Sequence, residues 1–429
     1  MNPFSLLTTG TKRSVSVSPA SRVGVSPASR VGVSQKSEKG IALILAMFTI
    51  ILVSYLATEL AYETNVEYLV NSAAIQRVKS YYAARAGVEI SLLRIKIYSQ
   101  VTSQLSAQAK GMVKQDLLDM IWKMPFSWPP QVPGELNQVQ KEMIDDKTKL
   151  SPMDAAYMTV ISDEGSKINV NGLWGPSKST RDLTYQQLLR IFQDKIRDDE
   201  KWARAHQDLR PEELINNLED WVSPSGQSAK GGDKTSKFSS LGQGYPPNRG
   251  FRTVREILLV PGMLEDYFSL LEDQITVFGM NAINPNNASK EILMAIDPAI
   301  TSKVADEIIK RRDDSAAGGP FKDAADFWAF VTNQGARIDP GVQKTIPIIT
   351  DAVYNFRITS TGSFKNSTSE ITAVVYDLNK SSTQGYSLLK ADYIPPNNAS
   401  AGTPPPSGGA NNNNSSTKGP PRIVYWSER

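Results

Sequence analysis

The stretch EKGIALILAMFTIILVSYLATELAYE, residues 38–63, decides how the rest of the chain is read. Glu38 and Lys39 meet Gly40, and an unbroken apolar run begins at the next residue. Ile41–Ala57 carries no charge. As a helix it is about 26 Å long, close to the roughly 30 Å of a bilayer's hydrocarbon core. A cleaved secretory signal has a shorter apolar region, of about 7–15 residues, and a small-x-small site after it. Here no Ala-x-Ala stop follows. The pattern continues through Glu59, Leu60, Tyr62, Val66, Leu69 and Val70 to Tyr81, Ala84, Val88 and Leu92, with apolar residues every three or four positions. The spacing predicts one long helix that begins in a membrane and ends in a soluble domain. Arg22, Arg30, Lys36 and Lys39 precede the run, which puts the N-terminus in the cytoplasm and the bulk of the chain across the membrane. An ordinary single-pass anchor fits the same pattern.

Composition removes most catalytic classes. The chain has 429 residues, enough for more than one domain, and a formal charge of +3, too small for a global nucleic-acid footprint. Having no cysteine, it has no disulfide, thiolate metal site or cysteine nucleophile. His206 is the single histidine. It lies in the polar stretch KWARAHQDL with no Gly-x-Ser-x-Gly elsewhere, so it reads as a surface residue and not a triad member. GGDKTS (231–236) lacks the glycine spacing and the Gly-Lys-Ser/Thr ending of a phosphate loop. The chain is therefore read as a non-enzyme.

Segment by segment, residues 1–40 form a low-complexity leader with VSPASRVG in tandem at Val17–Gly24 and Val25–Gly32, read as disordered. Residues 41–125 hold the N-terminal helix, transmembrane over 41–60, and the Pro/Trp-rich MPFSWPPQVPG (124–134) ends it. In 126–179, AYMTVIS (156–162) and Lys167–Asn171 read as short strands. Residues 180–345 are mainly helical. Leu183, Leu188, Leu189, Phe192 and Ile196 share one face, and Leu214, Ile215, Leu218, Trp221 and Val222 another. The Gly/Ser-rich Ser223–Gly250 reads as a loop, and helices resume at Val254–Leu259, Leu264–Leu271, Lys290–Ala295, Thr301–Arg311 and Asp323–Val331. In 346–380, YNFRITSTGSF and SEITAVVYDL flank KNSTS as a hairpin. A Pro/Asn/Gly tract (381–421) then precedes a last strand in 422–429. Strands with a helical block between them predict an α+β fold carrying an inserted helical domain.

A polar, basic leader that ends in Gly40 directly before the apolar run resembles that of type IV prepilins and type II secretion pseudopilins. The resemblance implies cleavage by a prepilin peptidase between Gly40 and Ile41, with methylation of the new terminus. It also implies assembly through the helix, on Leu45, Met47, Phe48, Ile51, Leu52 and Tyr55. Most such proteins have glutamate at the fifth mature position, where this chain has Leu45. A carboxylate in hydrocarbon is costly unless paired, and its lack characterises the K-type minor pseudopilin at the fibre tip. Four further segments resemble that family in its order: VISDEGSKINVNGL (160–173), LEDWVSP (218–224), YPPNRGFRTVREILLVPGM (245–263) and INPNNASKEIL (283–293). The implied fold is a pilin-like long N-terminal helix packed on an antiparallel sheet, with a large inserted α-helical domain containing helix-hairpin-helix-like segments. The implied partners are the I- and J-type minor pseudopilins and the major pseudopilin, on a bacterial inner membrane. The family can hold Ca²⁺ in the inserted domain, for which Asp220, Asp233 and Glu219 are the candidates; they read equally as solvated loop acids. No other cofactor is expected.

The rival readings are a type IV pilus minor pilin and a membrane-anchored DNA-binding or uptake protein. ILLVPGMLEDYFSLL (257–271) and the segment 282–312 resemble helix-hairpin-helix modules. DNA-binding versions need a Gly-x-Gly hairpin whose N–H groups face a phosphate. Asp297-Pro298-Ala299-Ile300 has no glycine, and Gly262 stands alone before Glu265 and Asp266. No nucleic-acid partner is expected.

Overall fold

The computed structural model describes residues 39–104, 115–131, 138–175, 177–228, 230–279, 282–314, 316–350, 353–377 and 421–429. The leader repeat and nearly all of the Pro/Asn/Gly tract lie outside the described residues. Helix α1 spans Lys39–Gln104. The chain divides into two units, one ending at Leu69 and one comprising Val70–Arg429. In the first, every described residue from Gly40 onward is exposed.

In the second unit, five strands form an antiparallel sheet in the order β1-β2-β5-β6-β7. These are β1 Phe126–Trp128, β2 Ala156–Asp163, β5 Asn355–Phe364, β6 Ser367–Tyr376 and β7 Arg422–Glu428. The second half of α1 lies on it. Its buried positions, Ser80, Ala84, Gly87, Ser91, Ile95, Tyr98 and Thr102, recur at steps of three and four, so one stripe faces the sheet. The stripe is graded by size, with small residues first. A side chain on Gly362 of β5 would strike the backbone of α1 at Ser80 and Ala84. One on Gly87 would strike Ser360, Thr159 and Tyr157. The backbones therefore touch, and hydroxyls finish the contact. Ser360 Oγ donates to the Ala84 carbonyl at 2.7 Å, and the Ser80 and Ser369 hydroxyls are 2.9 Å apart.

Further along, the gap widens. It is filled by Val88, Ile95 and Tyr98 of α1, by Trp122 of α2 (Gln115–Lys123), and by Phe356, Ile358, Ile371 and Val375 of the sheet. The rings of Tyr98, Trp122 and Phe356 meet edge to face at centroid distances of 5.5–6.3 Å. Arg94 of α1 donates to the carbonyls of Ile121, Trp122 and Met124, answering the last orphan acceptors of α2.

The helical block is inserted between two neighbouring strands. β2 and β5 pair from Ala156↔Ser363 to Asp163↔Phe356, so residues 164–354 leave and return at one point of the sheet. The insert has its own apolar core, centred on Phe192, Ile215, Leu218, Trp221, Phe238, Ile257, Phe268 and Phe327, with no residue in common with the core under α1.

Local expectations change in several places. The Pro/Trp-rich segment, expected only to end the helix, supplies β1, and Ser223–Gly250, expected as a loop, contains a helical turn at Lys234–Lys237. Of Lys167–Asn171, only β3 (Ile168–Asn169) is strand. It pairs in parallel with β4 (Ile275–Thr276) inside the insert, and Val170–Trp174 turns into a 3₁₀ helix because the Asn169 side chain accepts from the Asn171 N–H. Val254–Leu259 is likewise 3₁₀. The hairpin turn is shorter than KNSTS: Phe364 pairs with Ser367, leaving Lys365 and Asn366 at the tip, with Lys365 at φ 51°. The last strand does complete the sheet, pairing with β6 from Tyr376↔Arg422 to Ile371↔Glu428.

Gly362→Val should be among the most damaging single changes in the second unit, because the obstacle is helix backbone that cannot rotate away. A loss of about 3 kcal/mol is expected in urea unfolding. Gly40→Ala, with nothing within 4 Å of the added carbon, should leave the midpoint unchanged.

Candidate functional site

The assembly candidates all lie on α1. Leu45, Met47, Phe48, Ile51, Leu52 and Tyr55 are 46–63 % exposed, a density of bare apolar surface that water does not support. Gly40 and Ile41 fall in the first turn of the helix and are exposed. Among the described residues one helix is long and apolar enough to cross a membrane, by length and composition. That is consistent with single-pass anchoring.

Two motifs of the second unit, 160–173 and 283–293, meet at the neck where the insert joins the sheet. Glu164, first residue of the insert and fully buried, receives Arg357 of β5 through two hydrogen bonds of 2.5 and 2.6 Å and the Thr276 hydroxyl at 2.6 Å. Its N–H donates to the Asn355 carbonyl at 3.0 Å. Beside it, the Asp163 carboxylate accepts from Gly165 N at 2.8 Å, Asn287 Nδ2 at 2.9 Å and Asn284 Nδ2 at 3.4 Å. Asn355 Nδ2 and the Tyr376 hydroxyl both donate to the Phe278 carbonyl. The remaining motif asparagines tie loops together. Asn171 bridges Phe251 and Val277, and Asn286 bridges Phe321 and Thr350. Trp221 of the Asp-Trp segment stacks on Phe251, with planes 6° apart at 5.4 Å. Sequence reasoning singled out these motifs, Asn284 among them, but missed Arg357 and Thr276 as their partners. The one available signal was a charge, Arg357, within a strand that otherwise buries alternate residues.

The metal candidates are dispersed among other tasks. Asp220 is fully buried on α6 (Pro211–Val222). It accepts from Ser228 Oγ at 2.6 Å and pairs with Lys237 Nζ at 3.3 Å. Burial, then the charge of Asp220, raises the Glu219 carboxyl above its usual value. Asp233 caps the short helix Lys234–Lys237, accepting from the N–H groups of Thr235 and Ser236. The side-chain hydrogen bond from Thr235 heads the causes that hold it below the ordinary carboxylate value. Among the described residues no three acidic or histidine side chains are grouped as metal ligands.

Two arginines at the end of the second helix-hairpin-helix segment are turned inward, while Lys310 beside them is exposed. Arg311 forks onto Asp326 at 2.8 and 2.9 Å and lies over Phe321 and Phe330. Arg312 donates to the carbonyls of Pro285 and Ala288. Their charges are used in packing the hairpin. His206 is half-buried and not on the surface, because its ring lies against Trp202 at 4.3 Å, tilted by 33°, and meets Tyr267 at 5.3 Å.

Residues 283–346 match the family model described as type II secretion system (T2SS), protein K. No curated protein matches the chain. A solved structure, the crystal structure of the GspK-GspI-GspJ complex from the type 2 secretion system of enterotoxigenic Escherichia coli, is similar at 15 % identity with a TM-score of 0.48, covering 72 % of this chain and 93 % of that one. The long N-terminal helix, the antiparallel sheet and the inserted helices define an α+β fold. The family match lies within the insert and covers residues 283–346 alone.

Burial raises the Asp163 carboxyl from an ordinary 3.8 to about 7, against the pull of its N–H donors. The folded chain therefore keeps a proton that the unfolded chain has released, and this group's contribution to stability falls as pH rises from about 4 to about 7. Asp163→Asn should flatten that fall when urea midpoints are measured across the window. An unchanged slope would assign the effect to other groups.

Proposed function

We propose that the chain is the minor pseudopilin that caps the tip of a type II secretion pseudopilus and helps initiate the fibre. The observation that carries the reading is the protein K match over residues 283–346, in a chain whose apolar helix starts directly after Gly40. A prepilin peptidase cuts between Gly40 and Ile41, and the new terminus is methylated. The helix anchors the chain in the inner membrane with its bulk in the periplasm, then packs through Leu45, Met47, Phe48, Ile51, Leu52 and Tyr55 among the helices of I- and J-type minor pseudopilins and the major pseudopilin. Leu45 fits a terminal position. A glutamate there would need a positive partner in hydrocarbon, and a subunit with none above it has no such partner. The chain acts by assembly and performs no catalysis.

Gly40→Ala should leave the leader attached, giving a longer chain on gels and no secretion. N-terminal sequencing of the wild type should begin at Ile41; any other start would count heavily against this function. Leu45→Glu should lower secretion while leaving expression intact, and normal secretion would show that the position is neutral. Co-purification of the full chain with the I- and J-type proteins tests the partners.

A further inference from the structure

Calcium is the ligand that the resemblance implies for the insert, and the loop that follows α6 is where it would sit. A hard cation of that kind takes six to eight oxygens at about 2.3–2.6 Å. Three oxygens do converge in this loop: the carbonyls of Ser223 and Ser225, and Oδ1 of Asn248. They already surround a cation. Lys234 Nζ donates to them at 2.8, 2.8 and 2.9 Å, and Lys234 is only 1 % exposed. An ammonium has three N–H donors, and here each has its own acceptor. Nearby, Lys237 Nζ lies 3.3 Å from Asp220 Oδ2 and 3.1 Å from Ser228 Oγ, so the buried acid is also answered from within the chain. Asp233 spends its carboxylate on the start of the helix that carries both lysines. These residues do not fit a calcium ion: the three converging oxygens already face the Lys234 ammonium, which occupies the place a metal would take.

We propose that Lys234 is a built-in cation of the Ser223–Gly250 loop, holding by its three hydrogen bonds the oxygens that a bound metal would otherwise gather. The loop's two ends, Ser223–Ser225 after α6 and Asn248 in the YPPNRG segment, are joined through this one ammonium. Asn248 takes the left-handed conformation, φ 53°, and its side chain delivers the third acceptor. Burial lowers the Lys234 pKa, while the charges of Asp220 and Glu219 raise it. The loop is therefore ordered without metal, and calcium gives it nothing.

The test uses the full chain in detergent micelles, with calcium chloride as the probe, read by thermal unfolding and by hydrogen exchange over residues 223–250. The wild-type midpoint is expected to be the same with and without calcium. Lys234→Met should lower the midpoint by about 5 °C and speed exchange in this loop about ten-fold or more, with little change in the sheet. Lys234→Ala, which leaves the oxygen cage empty, should recover part of that protection when methylammonium is added. A wild-type midpoint that rises with calcium, or a Lys234→Met chain that melts and exchanges like wild type, would overturn the proposal. Should the Lys234 variants fail to fold, the calcium titration of the wild type still decides it.

Discussion

The second unit depends on the ion pair between Glu164 and Arg357. Glu164 is fully buried at the first step of the insert, and Arg357 reaches it from the strand on which the insert returns. A buried carboxylate is expensive unless its partner is close and its remaining lone pairs are filled. Here the guanidinium fork and the Thr276 hydroxyl fill them. Removing one partner of such a pair typically costs about 3–5 kcal/mol, against about 0–1 kcal/mol for an exposed one such as Lys178–Asp182. This pair therefore outweighs the surface ion pairs in fixing how the helical block is carried.

Around it, the fold solves two separate problems. Helix α1 must approach the sheet closely, and it does so by giving up side chains at Gly87 and Gly362 and using hydroxyls where bulk would not fit. The insert must hold many short helices and loops that bury little surface each. It does so with asparagine side chains that take the place of missing backbone partners, as Asn171 and Asn286 do. The first solution is steric and the second is a network of hydrogen bonds to main-chain groups.

Legibility in the sequence follows from this division. Elements with a simple period could be read directly: the long helix from its apolar spacing, β2, β5 and β6 from alternation, and β7 from its β-branched and aromatic composition. The insertion was visible as strands on either side of a helical block, but its attachment point was not, since only the β2–β5 pairing reveals that residues 163 and 356 meet. Short pieces were misjudged where a side chain overrides the backbone pattern, as Asn169 does when it ends β3. The motifs could be recognised, yet their physical role could not, because each partner lies far along the chain; Glu164 and Arg357 are 193 residues apart. Lys234 was passed over within GGDKTS because a lysine among glycines suggests phosphate, and nothing local says that three oxygens from two other segments will enclose it.

The two apolar cores share no residue, and that separation bears on how the chain can change. Substitutions deep in the helical block and substitutions beneath α1 fall in cores that share no residue, so their energetic effects should add. Each half can then drift in sequence without forcing compensation in the other, provided the few polar groups at the neck stay in step. A likeness confined to one half, as in the match over residues 283–346, is the kind of record such independent drift would leave.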